Sequence, residues 1–180
     1  MKLPKVEIKK ILYPTDLSEN ARYAFAYAVA LAQLNGAELV ILHVLNDHGD
    51  LESRVAGYID FQQWDAIKEQ MAADAWTTLS GKRKTVANAA VGEALMQFHK
   101  NTVREMDYPE NGPVEIVMEP GDAAEVIIEQ AGVHGCDLIV MGTYGQRSLI
   151  EVMSGVGRTA ARVVRRSTVP VMVVRLPDRQ

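Results

Sequence analysis

Ile11-Leu12-Tyr13-Pro14-Thr15-Asp16 opens a stretch that closes with Leu39-Val40-Ile41-Leu42-His43-Val44. What lies between these two runs decides the fold class. The first run follows two lysines and stops at Pro14-Thr15-Asp16, which reads as a short buried strand ending in a turn. Ser18 can cap a helix, and Glu19 places a carboxylate at the positive end of its dipole. Ala21, Ala24, Phe25, Ala28, Val29 and Ala32 then recur at helical spacing, and Asn35-Gly36 stops the helix. The closing run is apolar on both faces apart from His43, as suits a strand inside a parallel sheet. Strand, helix and strand within residues 11–44 make a βαβ unit.

The last third repeats the rhythm. Val114-Glu115-Ile116-Val117-Met118 reads as a strand, Glu119-Pro120-Gly121 as a turn, and Asp122 as the cap of a helix carrying Ala124, Val126, Ile127, Ile128 and Ala131. Asp137-Leu138-Ile139-Val140-Met141 is a strand running straight into Gly142. A helix over about 159–166 and a strand over 170–174 complete the chain. Between the two thirds, 46–112 forms an extended helical region inside one domain spanning 1–180. It contains a helix over about 62–79, with Trp64, Ile67, Met71, Ala75 and Trp76 near one stripe. A second helix runs over about 86–106, with Ala90, Ala94, Leu95, Phe98 and Thr102 on one side. Ser80-Gly81-Lys82-Arg83-Lys84 is expected to interrupt the helical pattern, with Lys82-Arg83-Lys84 as a solvated loop. The alternation predicts an α/β fold: a doubly wound, five-stranded parallel sheet in flavodoxin-like order, with a helical insertion between strands 2 and 3.

Composition narrows the function. Apolar residues are 48% and charged residues 23% of 180, an ordinary globular balance that argues against disorder. A net charge of −4 gives no global electrostatic case for nucleic acid. A single cysteine excludes an internal disulfide and fits a reducing compartment. No uncharged run approaches the roughly 18 residues of a membrane helix, and the first residues have no apolar signal core. The expected setting is the cytoplasm, with neither membrane nor nucleic acid as partner. Aromatic residues are only 6%, so the core is expected to be built from Val, Ile, Leu, Ala and Met.

In such a sheet all strands point their C-terminal ends to one edge, and ligands bind there at the topological switch point. Two loops reach it: Pro14-Thr15-Asp16, and the segment from Gly142-Thr143-Tyr144-Gly145 to Ser154-Gly155-Val156-Gly157-Arg158-Thr159. Glycines let backbone amides approach a ligand, and a helix starting beyond them aims N–H groups at the same spot. Arg147, Arg158 and Thr159 add phosphate donors. Glycines that merely form turns are the equal alternative, and the pattern is neither a dinucleotide-binding fingerprint nor a Walker A loop.

At these residues the sequence resembles a known family. Lys10 to Glu19 is similar to the opening of universal stress proteins of the UspA-like family. So are Leu42-His43-Val44, Gly121-Asp122 with the five residues after it, Asp137 to Gly145, and Val169 to Val174, in that order. The resemblance covers about 8–45 and 114–175. It implies a fold like that of the adenine nucleotide alpha hydrolases and binding of ATP or another adenine nucleotide, with or without Mg²⁺. Pro14, Thr15, Asp16, Val44 and Met141 would then surround adenosine. The nucleotide-binding branch carries Gly-x2-Gly, nine residues, then Gly-Ser or Gly-Thr. Gly142, Gly145 and Gly155 keep that spacing, but Val156 stands where the hydroxyl is expected. Counting back from Val169-Pro170-Val171 selects Gly157 instead, with Arg158-Thr159 following. Both registers stay open.

Asp16 can meet a ligand or cap its own turn. His43 reads as a core or pocket-wall histidine, and Cys136 as a small hydrophobe. Nothing resembling a positioned base or nucleophile lines the loops, so the expected role is nucleotide binding in a stress response, with slow ATP hydrolysis at most. One alternative is a stress protein of the branch that does not bind ATP, acting through dimerisation and an unidentified protein partner. A further alternative, an adenylyl-transferring enzyme, lacks its SGGxDS-type loop after strand one. The resemblance also implies a homodimer paired through the last strand, 170–174.

Overall fold

The computed structural model describes residues 5–45, 80–106, 114–143 and 157–175. Strand β1 (Lys10–Pro14) leads into helix α1 (Glu19–Asn35) and strand β2 (Glu38–Leu45). Helix α2 (Ser80–Glu105) precedes strand β3 (Val114–Pro120), helix α3 (Ala123–Val133) and strand β4 (Leu138–Gly142). Helix α4 (Arg158–Arg166) and strand β5 (Val171–Val174) follow.

The caps act as the sequence requires. The Ser18 hydroxyl accepts from the N–H of Ala21 at 3.1 Å, and Gly36 ends α1 in the left-handed region at φ 63°. The Asp122 carboxylate accepts from both Ala124 and Glu125 at the start of α3. The turn before it needs glycine: Gly121 has φ 142°, and a Cβ there would lie 2.9 Å from Val126 Cγ2.

All five strands are parallel, in the order β3-β2-β1-β4-β5. The doubly wound fold class is as expected, but the strand order is not flavodoxin-like, which would be 2-1-3-4-5. Both orders produce the same apolar strand pattern, so periodicity along the chain cannot choose between them. The choice is made where β3 pairs outside β2, so that the chain must cross back past β1 before laying down β4. The switch point therefore lies between β1 and β4.

Strand alternation separates two cores. Ile11, Tyr13, Leu39, Ile41, Leu138 and Val140 meet α1 and α2 on one face. Leu12, Val40, Leu42, Val44, Ile139 and Met141 meet α3 and α4 on the other. Aromatic residues are scarce but central: the Tyr13 and Phe25 rings lie 4.8 Å apart, Phe25 and Phe98 5.0 Å, and all three are fully buried. The Tyr13 hydroxyl is satisfied by the Ala21 carbonyl at 2.6 Å.

Helix α2 corrects the expected interruption. Residues 80–84 are its first turn rather than a loop. Lysine and arginine are good helix formers, and Gly81 alone costs only about 1 kcal/mol. Ala94, Leu95, Phe98 and Thr102 form its buried side as expected. The expected helix over 62–79 lies outside the described residues.

Candidate functional site

The loop after β1 is tied down by its own side chains. Strand pairing with β2 ends at Pro14 opposite Leu42. The N–H of Thr15 donates to the Leu42 carbonyl at 2.8 Å, and His43 Nδ1 donates to the Thr15 carbonyl at 2.8 Å. A carbonyl can only accept, so the proton sits on Nδ1. Thr15 Oγ1 accepts from the N–H of Leu17 at 3.0 Å, and Asp16 Oδ1 accepts from the N–H of Ser18 at 3.1 Å. Leu17 is left-handed at φ 63° although it is not glycine, a conformation that costs about 1–2 kcal/mol. Leu17 is only 3% exposed and packs in the α1 core, which holds it there. Asp16 thus does cap its own turn, and it remains half-buried at the sheet edge.

The second loop is latched at both ends. Gly142 pairs with Val174. Thr143 donates to the Val174 carbonyl twice, from its N–H at 3.0 Å and from Oγ1 at 2.9 Å. The N–H of Gly157 donates to the Thr143 carbonyl at 2.9 Å. Helix α4 therefore starts beside the end of β4, at the switch-point edge. Its N-cap is Gly157, which offers no side chain to the first turn, whereas Ser18 and Asp122 cap α1 and α3 with oxygens. N–H groups in such a turn, with the positive dipole end, suit an anion.

The structure brings together most of the residues singled out by sequence. Pro14, Thr15 and Asp16 close β1, Val44 lies near the end of β2, and Met141 and Gly142 close β4. Val44 and Met141 are buried in one apolar cluster. Gly157, Arg158 and Thr159 open α4, with Arg158 exposed. Gly145, Arg147, Gly155 and Val156 lie outside the described residues, and so does the choice between the two glycine registers. Sequence reasoning gave no role to Thr143. Its only signal is a hydroxyl residue at a strand end, directly before a glycine turn.

Beside the edge, charged side chains join the two helices of one face. Arg162 donates to Asp122 Oδ2 at 2.8 Å and to Glu125 Oε1 at 2.7 Å, and Arg166 also pairs with Glu125. These bonds brace α4 against α3. The Arg162 guanidinium, aided by the N–H of Glu125, holds the Asp122 carboxyl below its ordinary value. Cys136 is buried in the α3–α4 core, and burial pushes its thiol up to about 11, as befits an inert small hydrophobe. Among the described residues no three His, Cys, Asp or Glu side chains form a metal cluster, and no helix is long and apolar enough to cross a membrane.

Comparison with known proteins agrees with this architecture. The chain is 28% identical to universal stress protein MJ0577 of Methanocaldococcus jannaschii, over 94% of this chain and 96% of that one. It is 27% identical to universal stress protein YxiE of Bacillus subtilis, over 92% and 98%. The solved structure of MJ0577 superposes with a TM-score of 0.64 at 26% identity, covering 97% and 100% of the two chains. UspA from Lactobacillus plantarum superposes at 0.63 with 26% identity, covering 95% and 100%. A universal stress protein solved in complex with cAMP shares the fold at a TM-score of 0.58 and 19% identity, covering 94% and 98%. The model of the universal stress protein family matches residues 7–175, and the chain belongs to that family.

Proposed function

We propose that this universal stress protein binds ATP or another adenine nucleotide at the edge between β1 and β4, and acts in the cytoplasm as a single-domain, nucleotide-responsive binding module. The observation that carries the reading is the convergence of three features there. One is the braced Thr15-Asp16 turn, one the apolar cluster that holds Val44 and Met141 on either side of β1, and one the start of α4 with its glycine N-cap. An apolar wall beside a few directed polar groups suits a flat base joined to a charged tail. The fold is compatible with such a ligand, since a universal stress protein of this fold was solved with cAMP. In this reading Val44 and Met141 flank the adenine, Asp16 meets the ribose or a phosphate-bound Mg²⁺, and Gly157, Arg158 and Thr159 receive the phosphates. Mg²⁺ would neutralise phosphate charge.

The test is mass spectrometry of small molecules released from freshly purified protein, followed by calorimetric titration of ligand-free protein with Mg-ATP. Adenine nucleotide in the first, or saturable heat at millimolar Mg-ATP or below in the second, supports the reading. Neither heat nor a thermal shift at that concentration sinks it.

A second reading rests on a different observation. Strand β5 stands at the sheet edge, with its outer side unpaired among the described residues. It supports a homodimer joined through 170–174, and a protein that works by partner contact even without nucleotide.

A further inference from the structure

We propose that His43 is a positioning residue for the nucleotide edge, clamping the Thr15 carbonyl and so fixing the direction in which Asp16 leaves β1. The proposal rests on the nucleotide reading above.

Four observations lead to it. First, the β1–β2 pairing stops at Pro14, one residue before the turn. Beyond that point the backbone needs another partner for the Thr15 carbonyl, and the His43 imidazole supplies it at 2.8 Å. Second, the Thr15 backbone is thereby caught on both sides, since its N–H already donates to Leu42 at 2.8 Å. The Thr15 carbonyl belongs to the peptide plane that runs through the Asp16 nitrogen to the Asp16 Cα. Holding it therefore holds the orientation of Asp16. Third, the residues that follow need such an anchor. Leu17 is left-handed, and the N–H groups of Leu17 and Ser18 are taken by the side chains of Thr15 and Asp16. A turn of this kind persists only where its surroundings over-determine it. Fourth, His43 is 1% exposed and sits on the α1 face of β2, whereas Val44 sits on the opposite face, with the α3–α4 cluster. His43 is thus placed to act through the turn rather than to touch a base packed on Val44.

The experiment uses the whole chain and four variants: His43→Phe, which keeps a ring but has no donor; His43→Asn, whose amide can donate from nearly the same place; Asp16→Ala; and the double variant Asp16→Ala with His43→Phe. His43→Leu replaces His43→Phe should the larger ring prevent folding. Mg-ATP affinity is read by calorimetry below each variant's unfolding transition. The expected result is about a tenfold loss for His43→Phe, equivalent to about 1.4 kcal/mol, with recovery to within about threefold of wild type in His43→Asn. The double variant should bind no more weakly than Asp16→Ala alone, because the histidine acts through that residue. Wild-type affinity in His43→Phe, or losses that multiply in the double variant, would overturn the proposal. Amide hydrogen exchange gives a second readout that needs no nucleotide. His43→Phe should speed exchange at Leu17 and Ser18 at least tenfold while leaving β4 unchanged, and unaltered protection there would overturn the clamp. A wild-type protein that fails to bind Mg-ATP refutes the nucleotide reading, and the exchange result then decides the clamp on its own.

Discussion

The N–H of Gly157 donates to the carbonyl of Thr143 across 2.9 Å, joining the first residue before α4 to the first residue after β4. Thr143 and Gly157 therefore lie side by side at the sheet edge. Thr143 in turn hangs on Val174 of β5 through two bonds. One buried threonine thus connects the start of the candidate phosphate helix to the edge strand.

Replacing Thr143 by Val keeps the shape and removes the hydroxyl. The Val174 carbonyl retains the Thr143 N–H, so only one of two bonds is lost. The expected cost is about 1 kcal/mol, read as a fall in Tm of roughly 2–4 °C for a chain of this size. An unchanged Tm would mean that the backbone bond alone holds the latch.

Arg158 is the exposed first residue of α4. If it donates to a phosphate, Arg158→Ala should weaken ATP by about 1.5–3 kcal/mol and leave adenosine nearly untouched. Titrating both ligands against both proteins checks this. Equal losses would return the guanidinium to the solvated helix face.

Asp122 links α3 to α4 and should make stability depend on acid. Its carboxyl is held below the ordinary value by Arg162 first and by the N–H of Glu125 second. A depressed folded pKa contributes stability above the unfolded value, near 4, and loses it as pH falls through the folded value. The pair is half exposed, so its worth is small, about 0.2–1 kcal/mol. In urea unfolding, wild type should exceed Arg162→Gln by at least that amount at pH 7, since the variant also loses the bond to Glu125. The two should converge as the pH falls below the folded value, and a constant gap would contradict the pairing.

Gly121 offers a sharper structural check. At φ 142°, with Val126 Cγ2 2.9 Å from where a Cβ would stand, alanine is both strained and crowded. Gly121→Ala should cost more than about 1 kcal/mol, seen as a lower urea midpoint. Gly132→Ala, in open space inside α3, should instead be neutral or stabilising.

The sequence carried the elements more fully than their arrangement. Ser18, Gly36 and Asp122 announced helix boundaries because capping chemistry is local. Strand order was not legible, since the pairing of β3 outside β2 depends on contacts between distant segments. The same holds at the site. Thr15, Asp16 and Met141 could be placed at one edge from strand ends alone. That His43 reaches across 28 residues to hold Thr15, and that Arg162 braces α4 on Asp122, are tertiary facts with no periodic signal.

The dimer prediction follows from which way β5 points its backbone. The carbonyls of Pro170 and Val174 are used by Ile139 and Thr143 of the β4 side. Alternate residues along a strand direct their N–H and C=O groups to opposite sides, so Val171 and Val173 aim theirs away from β4. An open edge of this kind invites another strand. Helix α2, the described part of the extra helical region, packs against α1 and β3 and so stands over the far side of the sheet. A second β5, related by a two-fold axis, would satisfy the groups of Val171 and Val173 in both copies at once. Val173→Pro is the probe, because it deletes an outward donor without touching the β4 ladder. Light scattering at micromolar concentration should give about twice 19.8 kDa for wild type and a mass near 19.8 kDa for the variant. Val173 also packs against the α3–α4 core, so a cooperative thermal transition at low concentration is the check that the variant is a folded monomer. A wild-type mass of 19.8 kDa would mean that β5 does not pair with its copy, and an unchanged dimer in Val173→Pro would place the interface elsewhere.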